Sequence, residues 1–256
     1  MPALDEQRRI ADFLDDRVAR IEQIIAARQQ QVELAELGRL ANLDAVVRGS
    51  APTQRISRVV ALGAVGVVVN PSTYFEDEGV PFVHGYNVRD GYLDLTEVKH
   101  MSQTSSNALS RSQLRAGDVL VVRAGFPGRA AVVPPELAGG NCASVLLLRP
   151  GDDLQPEWLA AFFNSPLGKQ DVDSVQYGAA QGVINLSDVM SFELPLPPLD
   201  DQRKALAAYE RTDNAWRQGQ ACAERQISVL QEYKQSLITA AVTGEFDVTS
   251  AAPIPE

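Results

Sequence analysis

The chain has 256 residues, 45% hydrophobic and 22% charged, enough apolar mass for one large core or two small ones. Its formal net charge is −10 and the acidity is spread: residues 1–49 carry 7 basic and 9 acidic groups, residues 50–196 carry 10 and 15, and residues 197–256 carry 6 and 9. That balance argues against holding nucleic acid by bulk electrostatics, and two cysteines and two histidines without ligand spacing argue against a zinc site.

No run approaches the roughly 18 apolar residues of a membrane span, and Met-Pro followed by charges is no signal peptide. A cytoplasmic protein with no membrane contact is expected. Cys142 and Cys222 read as small apolar residues of a reducing compartment.

Residues 5 to 48 are expected to form one helix. Asp5 stands as N-cap and Glu6 lies in the first turn, where the helix dipole favours an acid. Leu14, Val18, Ile21, Ile25, Val32 and Ala35 make a stripe of near-heptad period, interrupted by Arg28, and Gly49 is a natural stop. A helix of this length runs about 65 Å, too long to lie on a small domain, so it must pair. Gly38 is a weak point costing about 1 kcal/mol against Ala and a candidate bend.

From residue 50 the period changes. Strand signals fall at Val65–Val69, Val80–Val83, Gly91–Leu95, Asp118–Arg123, Ala130–Val133 and Ala143–Arg149, each closed by Gly, Pro or Asn. Pro156–Asn164 reads as a helix with Trp158, Leu159, Phe162 and Phe163 on one side, and Asn185–Val189 as a further short element. Short strands, glycine corners and few helices predict an α+β domain on a curved, mixed or antiparallel sheet.

Pro195, Pro197 and Pro198 then force an extended approach to a second helix, residues 200 to 243, capped by Asp200. Leu206, Tyr209, Trp216, Ala223, Ile227, Leu230, Leu237 and Ala241 again have heptad flavour, with Gly219 in mid-course and Gly244 at the end. Residues 246–256 are expected to be a flexible tail.

The two helices are copies. Pro2-Ala3-Leu4-Asp5-Glu6-Gln7-Arg8 returns as Pro197-Pro198-Leu199-Asp200-Asp201-Gln202-Arg203, and the constant offset of 195 holds to Gly49 and Gly244. Eleven positions are identical, among them Gln23/Gln218, Gln31/Gln226 and Val47/Val242. A repeat split by an unrelated segment is one element used twice, not a solenoid. If the ends of the middle module lie together, as is usual, the helices leave it side by side and antiparallel. The expected architecture is a globular domain (50–194) on an antiparallel two-helix coiled-coil stalk (1–49 and 195–245).

The phrase Pro195-Leu196-Pro197-Pro198-Leu199-Asp200-Asp201-Gln202-Arg203 resembles the specificity subunits of type I restriction–modification systems. Val80-Pro81-Phe82-Val83-His84-Gly85-Tyr86-Asn87-Val88 is similar to one segment of that family's target recognition domain, and Ala116-Gly117-Asp118-Val119-Leu120 through Gly128-Arg129 to another. The helices resemble its conserved spacers, and Ala240–Asp247 its usual ending. The resemblance implies a non-catalytic subunit that reads double-stranded DNA and docks methyltransferase subunits, with a restriction and translocation subunit joining the complex. The family carries two recognition domains per chain, each reading half of a split site, whereas this chain has one. It resembles a C-terminal half or a half-length version, which implies self-association or pairing with another half.

Base reading needs forked donors or donor–acceptor pairs on loops: Arg for guanine, Asn or Gln for adenine. Three loops carry them. The first holds His84, Tyr86, Asn87 and Arg89; the second Arg123, Phe126 and Arg129 around a glycine turn; the third Gln176, Tyr177, Gln181 and Asn185 around Gly178 and Gly182. Arg111, with Ser110 and Arg115, is a candidate phosphate contact. The competing readings are that Arg123 and Arg129 pair with carboxylates to hold their turn, that Asn87 satisfies its own backbone in a hairpin corner, and that the glycine loop is merely solvated.

No cofactor or catalytic centre is expected. There is no glycine-rich dinucleotide fingerprint and no phosphate loop, and Asn70-Pro71-Ser72-Thr73-Tyr74 is not the Asn-Pro-Pro-Tyr of an amino-methyltransferase. Asp94, Glu97 and Lys99 echo a nuclease but read as a turn. Two alternatives stand beside DNA reading: a coiled-coil scaffold with a degenerate recognition domain, and a stand-alone nuclease.

Overall fold

In the computed structural model, residues 4–68, 71–176 and 182–246 are described. The helices are α1 (Leu4–Arg48), α2 (Ile56–Val59), α3 (Gln103–Ala108), α4 (Pro156–Asn164), α5 (Pro166–Val175), α6 (Leu186–Val189) and α7 (Leu199–Thr243). The strands are β1 (Thr53–Arg55), β2 (Val60–Val65), β3 (Phe75–Glu76), β4 (Val80–His84), β5 (Lys99–Met101), β6 (Val119–Val122), β7 (Ala130–Val132), β8 (Asn141–Ala143), β9 (Val145–Pro150) and β10 (Glu193–Pro195). The chain divides into two compact units: residues up to Arg39 together with those from Arg211, and the continuous stretch Leu40–Glu210.

The first unit pairs α1 up to Arg39 with α7 from Arg211 onward. They run antiparallel: Phe13 meets Phe246, Glu22 meets Lys234 and Arg39 meets Asp213, so the numbers rise on one helix as they fall on the other. The expected stripe of α1 faces inward, with Ile21 and Ile25 buried. On α7 the inward positions 213, 216, 220, 223, 227, 230, 234, 237 and 241 alternate by three and four residues, the spacing of a coiled-coil seam. Asp213, Gln220 and Lys234 fill the places that a search for apolar residues leaves blank. Arg39 and Lys234 occupy equivalent repeat positions, and each bridges to a carboxylate on the opposite helix, Asp213 at 3.4 Å and Glu22 at 3.3 Å.

The two helices begin and end at equivalent residues, Leu4/Leu199 and Arg48/Thr243. Asp5 and Asp200 are not caps. The carbonyl of Pro198 accepts from the amides of Asp201 and Gln202 (2.9 and 3.0 Å), so α7 starts one residue earlier and Asp200 lies in its first turn.

The second unit holds the sheets. One is antiparallel, ordered β2-β9-β6-β7; the other is mixed, ordered β3-β5-β4-β8, with β4 and β8 parallel. The unbroken apolar runs of β6 and β9 are explained by burial on both faces. Val119, Val121, Leu146 and Leu148 pack towards Trp158, Phe162 and Phe163 of α4. Leu120, Val122, Val145 and Leu147 pack the other way, with Val83, Leu114 and Leu137. Each such side chain contributes roughly 1.5–3 kcal/mol of burial. Edge strand β7 ends on Asn164, whose amide bonds both N–H and C=O of Ala130 (3.0 and 2.8 Å), as a neighbouring strand would.

Strands β1 and β10 pair antiparallel, Thr53 opposite Pro195, so the chain enters and leaves the module side by side. Leu43 and Val47 of α1 and Ala205, Leu206 and Tyr209 of α7 join the α4 cluster. Trp158 donates its indole N–H to the Pro195 carbonyl at 2.8 Å. Gln202, fully buried, accepts from the Gln155 amide and donates to the carbonyls of Asp153 and Pro197 (2.9, 2.9 and 2.8 Å). The proline-rich phrase is therefore a joint between α4 and the start of α7.

Three expected strands need correction. Gly91–Leu95 is a loop tied by a single bridge between Val88 and Leu93. Val65 ends β2 instead of beginning a strand; Val67 makes only an isolated bridge to Ala143, and Val69 lies outside the described residues. Ala143–Arg149 is broken at Ser144, whose φ of 60° turns β8 into β9. Almost all of the expected tail lies outside the described residues.

Candidate nucleic-acid interface

Strands β6 and β9 set the site. Beyond Val122 the chain turns through Gly125-Phe126-Pro127-Gly128, closed by the Val122 amide on the Arg129 carbonyl (2.8 Å) and the Gly128 amide on the Val122 carbonyl (3.0 Å). Gly125 and Gly128 have φ of 89° and 85°, a conformation that a side chain opposes. The turn thrusts Phe126 outward, 64% exposed, with the Arg129 guanidinium over its ring at 4.1 Å.

Opposite lies the loop after β4. The rings of His84 and Tyr86 stack at 4.7 Å, and His84 Nε2 meets the Ser144 hydroxyl at 3.2 Å. Burial holds the His84 imidazole below its usual range, favouring the neutral ring. Tyr86 is 46% exposed. His84, Tyr86, Arg89, Phe126, Arg129 and Ser144 together line one cleft of about 330 Å³.

Two expected site residues work inwardly. Asn87 is buried; its oxygen accepts from the His84 amide (2.9 Å) and its nitrogen donates to the Asp94 carbonyl (3.0 Å). It shapes the loop and presents no edge to a base. Arg123 donates to the Ile184 carbonyl at 3.3 Å and pairs with no carboxylate among the described residues. That bond, the Ile184 amide on the Arg123 carbonyl (3.0 Å) and a bridge between Ala124 and Val183 lay the segment after the glycine loop along the turn. Gln176 is exposed and bonds Asp173 at 2.6 Å, while Asn185 precedes α6. Tyr177 and Gln181 lie outside the described residues.

The counter-charges are modest. Arg89 pairs with Asp94 at 3.2 Å, and Asp94 also accepts from the amide and hydroxyl of Thr96, contacts that hold its carboxyl below the usual range. The Asp94–Thr96 turn is what the nuclease-like pattern builds. Asp90 stands 3.9 Å from Arg129 and 3.8 Å from Lys169, distances of loose ion pairs. Sequence reasoning missed Asp90 and Ser144. An Asp-Gly dipeptide such as Asp90-Gly91 is a turn signal that names no neighbour, and nothing local to Ser144 marks it as the kink between two strands.

Arg111 lies apart from this cleft, in a second one with Arg115 and Arg149. Among the described residues no cluster of His, Cys, Asp and Glu could hold a metal ion, and no helix is long and apolar enough to cross a membrane.

Comparison with known proteins bears on this arrangement. No protein-family model matches the chain. Over 239 residues it is 23% identical to the type I restriction enzyme EcoBI specificity subunit of Escherichia coli, spanning 82% of this chain and 50% of that one. It is 24% identical over 233 residues to the EcoKI specificity subunit of Escherichia coli strain K12, with 82% and 49% covered. The chain is a relative of the type I restriction specificity subunits. It spans about half the length, or less, of the curated relatives it matches. Its fold matches a chain from a type I R-M system structure with a TM-score of 0.73 (21% identity, 94% of this chain and 60% of that one). The HsdS subunit of Thermoanaerobacter tengcongensis matches with a TM-score of 0.59 (23% identity, 96% and 60%). The likeness of this specificity-subunit relative thus covers both long helices as well as the module between them.

Proposed function

We propose that the chain is a sequence-specific DNA-reading specificity subunit of a type I restriction–modification complex, acting in the cytoplasm on one half of a split site. The Leu40–Glu210 unit reads bases, and the long helices dock methyltransferase subunits, through which the restriction subunit joins. The observation that supports reading is the meeting of Tyr86, Arg89, Phe126 and Arg129 around one cleft: an exposed aromatic and a guanidinium from each of two rigidly held loops. Arginine reads guanine from the major groove, and an apolar ring can contact the thymine methyl. With a net charge of −10, the chain alone binds weakly, and partner subunits supply most phosphate contacts. The test is co-expression with the neighbouring methyltransferase subunit, followed by mapping of methylated adenines. A new split motif supports the reading; unchanged methylation overturns it.

A second reading concerns pairing, and the repeat supports it. Gln202 is fully buried while its counterpart Gln7 is exposed. Val47 is 1% exposed and its counterpart Val242 64%. Leu199 is half-buried and Leu4 63% exposed. At these three positions the copy that meets the module is the more buried one. We infer that the uncovered set takes a second recognition domain, supplied by another copy of this chain. Light scattering on wild type and Val242→Asp tests it: a wild-type dimer that the substitution dissociates supports pairing, and a monomer at every concentration overturns it.

A further inference from the structure

We propose that the cleft of about 650 Å³ between edge strand β2 and the Ser110–Arg115 segment is a binding site for backbone phosphates of duplex DNA, held by Arg111 and Arg115. This rests on the reading of the chain as a DNA-binding subunit and adds a contact away from the base-reading cleft.

Charge is the first observation. Arg111, Arg115 and Arg149 line this cleft, and no carboxylate does. In a module with 10 basic and 15 acidic residues, three arginines together are a local reversal of sign. Arg149 is committed: it grips Asp118 at 2.7 and 2.8 Å, and Asp118 is 1% exposed. Arg111 and Arg115 are exposed, and neither has a carboxylate partner among the described residues. The net charge facing the cleft is thus carried by two uncommitted guanidinium groups.

Support from behind is the second. Asp118, besides holding Arg149, accepts from the Arg115 amide at 2.8 Å. The buried Asn141 donates to the Leu109 carbonyl and the Ser112 hydroxyl (3.0 and 2.9 Å), pinning the turn that carries Arg111. Two buried polar side chains therefore fix the backbone beneath two exposed arginines. Locking the supporting shell while leaving the charged tips free is what a phosphate contact requires.

Placement is the third. Ser144 lines the base-reading cleft and Arg149 lines this one, at opposite ends of β9. Five residues at about 3.3 Å each separate them by roughly 16 Å, comparable to a major groove of about 12 Å plus a bordering strand. For both clefts to be used at once, a single duplex whose groove faces Phe126 and Arg129 must also bring a phosphate strand to Arg111 and Arg115.

The test is fluorescence anisotropy of the full chain, in complex with its methyltransferase subunit, on a random-sequence duplex across a salt series. The double variant Arg111→Ala/Arg115→Ala is expected to lose roughly tenfold or more in affinity whatever the sequence, and the log–log salt slope to fall by about two. Arg111→Lys/Arg115→Lys restores most of the binding, because a phosphate accepts either cation. Unchanged thermal unfolding of the alanine variant separates lost contact from lost fold. If that variant binds with wild-type affinity and slope while Arg129→Ala weakens binding, the cleft proposal is overturned and the reading of the chain survives. If wild type binds no duplex, both fall. If a free nucleoside triphosphate raises the melting temperature through these arginines and duplex binding does not depend on them, the site is for a small anion and the assignment to DNA backbone is wrong.

Discussion

The indole of Trp216 on α7 occupies the space that a side chain at Gly38 on α1 would need: a Cβ there would fall 1.8 Å from Cη2 of the ring. Gly38 is therefore a socket in the seam, a role its low helix propensity does not announce. Gly219, the mid-helix glycine of α7, has nothing within 4 Å of an added Cβ. The two glycines make opposite predictions. Gly219→Ala gains about 1 kcal/mol of helix propensity and raises the melting temperature. Gly38→Ala gains the same propensity but must displace the indole, an overpacking cost of about 1–3 kcal/mol, and lowers it. Thermal unfolding by circular dichroism decides; equal effects at both sites would refute the socket.

Gln7 and Gln202 are one residue of the repeat in two environments. Gln202→Ala strips partners from the Gln155 backbone amide and from the carbonyls of Asp153 and Pro197, and each group left without a partner and shielded from water costs about 1–3 kcal/mol. Gln7→Ala, on an exposed position, changes the stability of the single chain by no more than about 0.5 kcal/mol. Urea unfolding of the two variants is the check, and comparable losses would show that the phrase is equally engaged in both copies.

How much of this was visible in the residues follows from what each element is made of. The long helices were legible because period and repeat agree, and because burial follows the same spacing through polar positions such as Asp213 and Lys234. Helix α4 was legible to the residue, since Pro156 opens it and its apolar side is dense. The β6 and β9 strands declared themselves through runs of Val and Leu that only a sheet covered on both faces accommodates. Strands β1, β3, β5 and β10 were not legible: two or three residues long, they are set by tertiary pairing and carry no period of their own. At the candidate site the sequence named the loops but not the division of labour within them. Asn87 and Tyr86 are adjacent and equally polar in pattern, yet the loop turns one inward and the other out. Which loops share a cleft depends on strand order, and order is a property of long-range pairing that no local window contains.

Asp90 faces Arg129 across 3.9 Å and lowers the positive potential of the cleft proposed to read bases. Asp90→Asn keeps the shape and removes the charge. Duplex affinity is expected to rise about fivefold, equivalent to ~1 kcal/mol for a partly exposed charge, with the gain fading at high salt. Phe126→Ala, by contrast, removes apolar contact and the platform under Arg129, so affinity falls and the salt slope stays. Anisotropy across a salt series separates the two, and a weakened Asp90→Asn would mean that the carboxylate positions Arg129 for binding.

His84 couples the same loop to pH. Burial lowers its imidazole below the ordinary value of 6.5, so the unfolded chain takes up a proton at a higher pH than the folded one. Stability tied to this residue is then fully present above pH 6.5 and is lost as pH falls through the lower, folded value. Asp171, whose carboxyl burial pushes up, acts with the opposite sign, gaining as pH falls, whereas Asp94, held below the usual range by Thr96 and Arg89, acts with the sign of the histidine. The difference between wild type and His84→Gln isolates the histidine: the urea midpoint of wild type should decline between neutrality and mild acid more steeply than that of the variant. Parallel curves would show that the ring titrates as it does in water, and that its stack on Tyr86 and its contact with Ser144 leave it open to solvent.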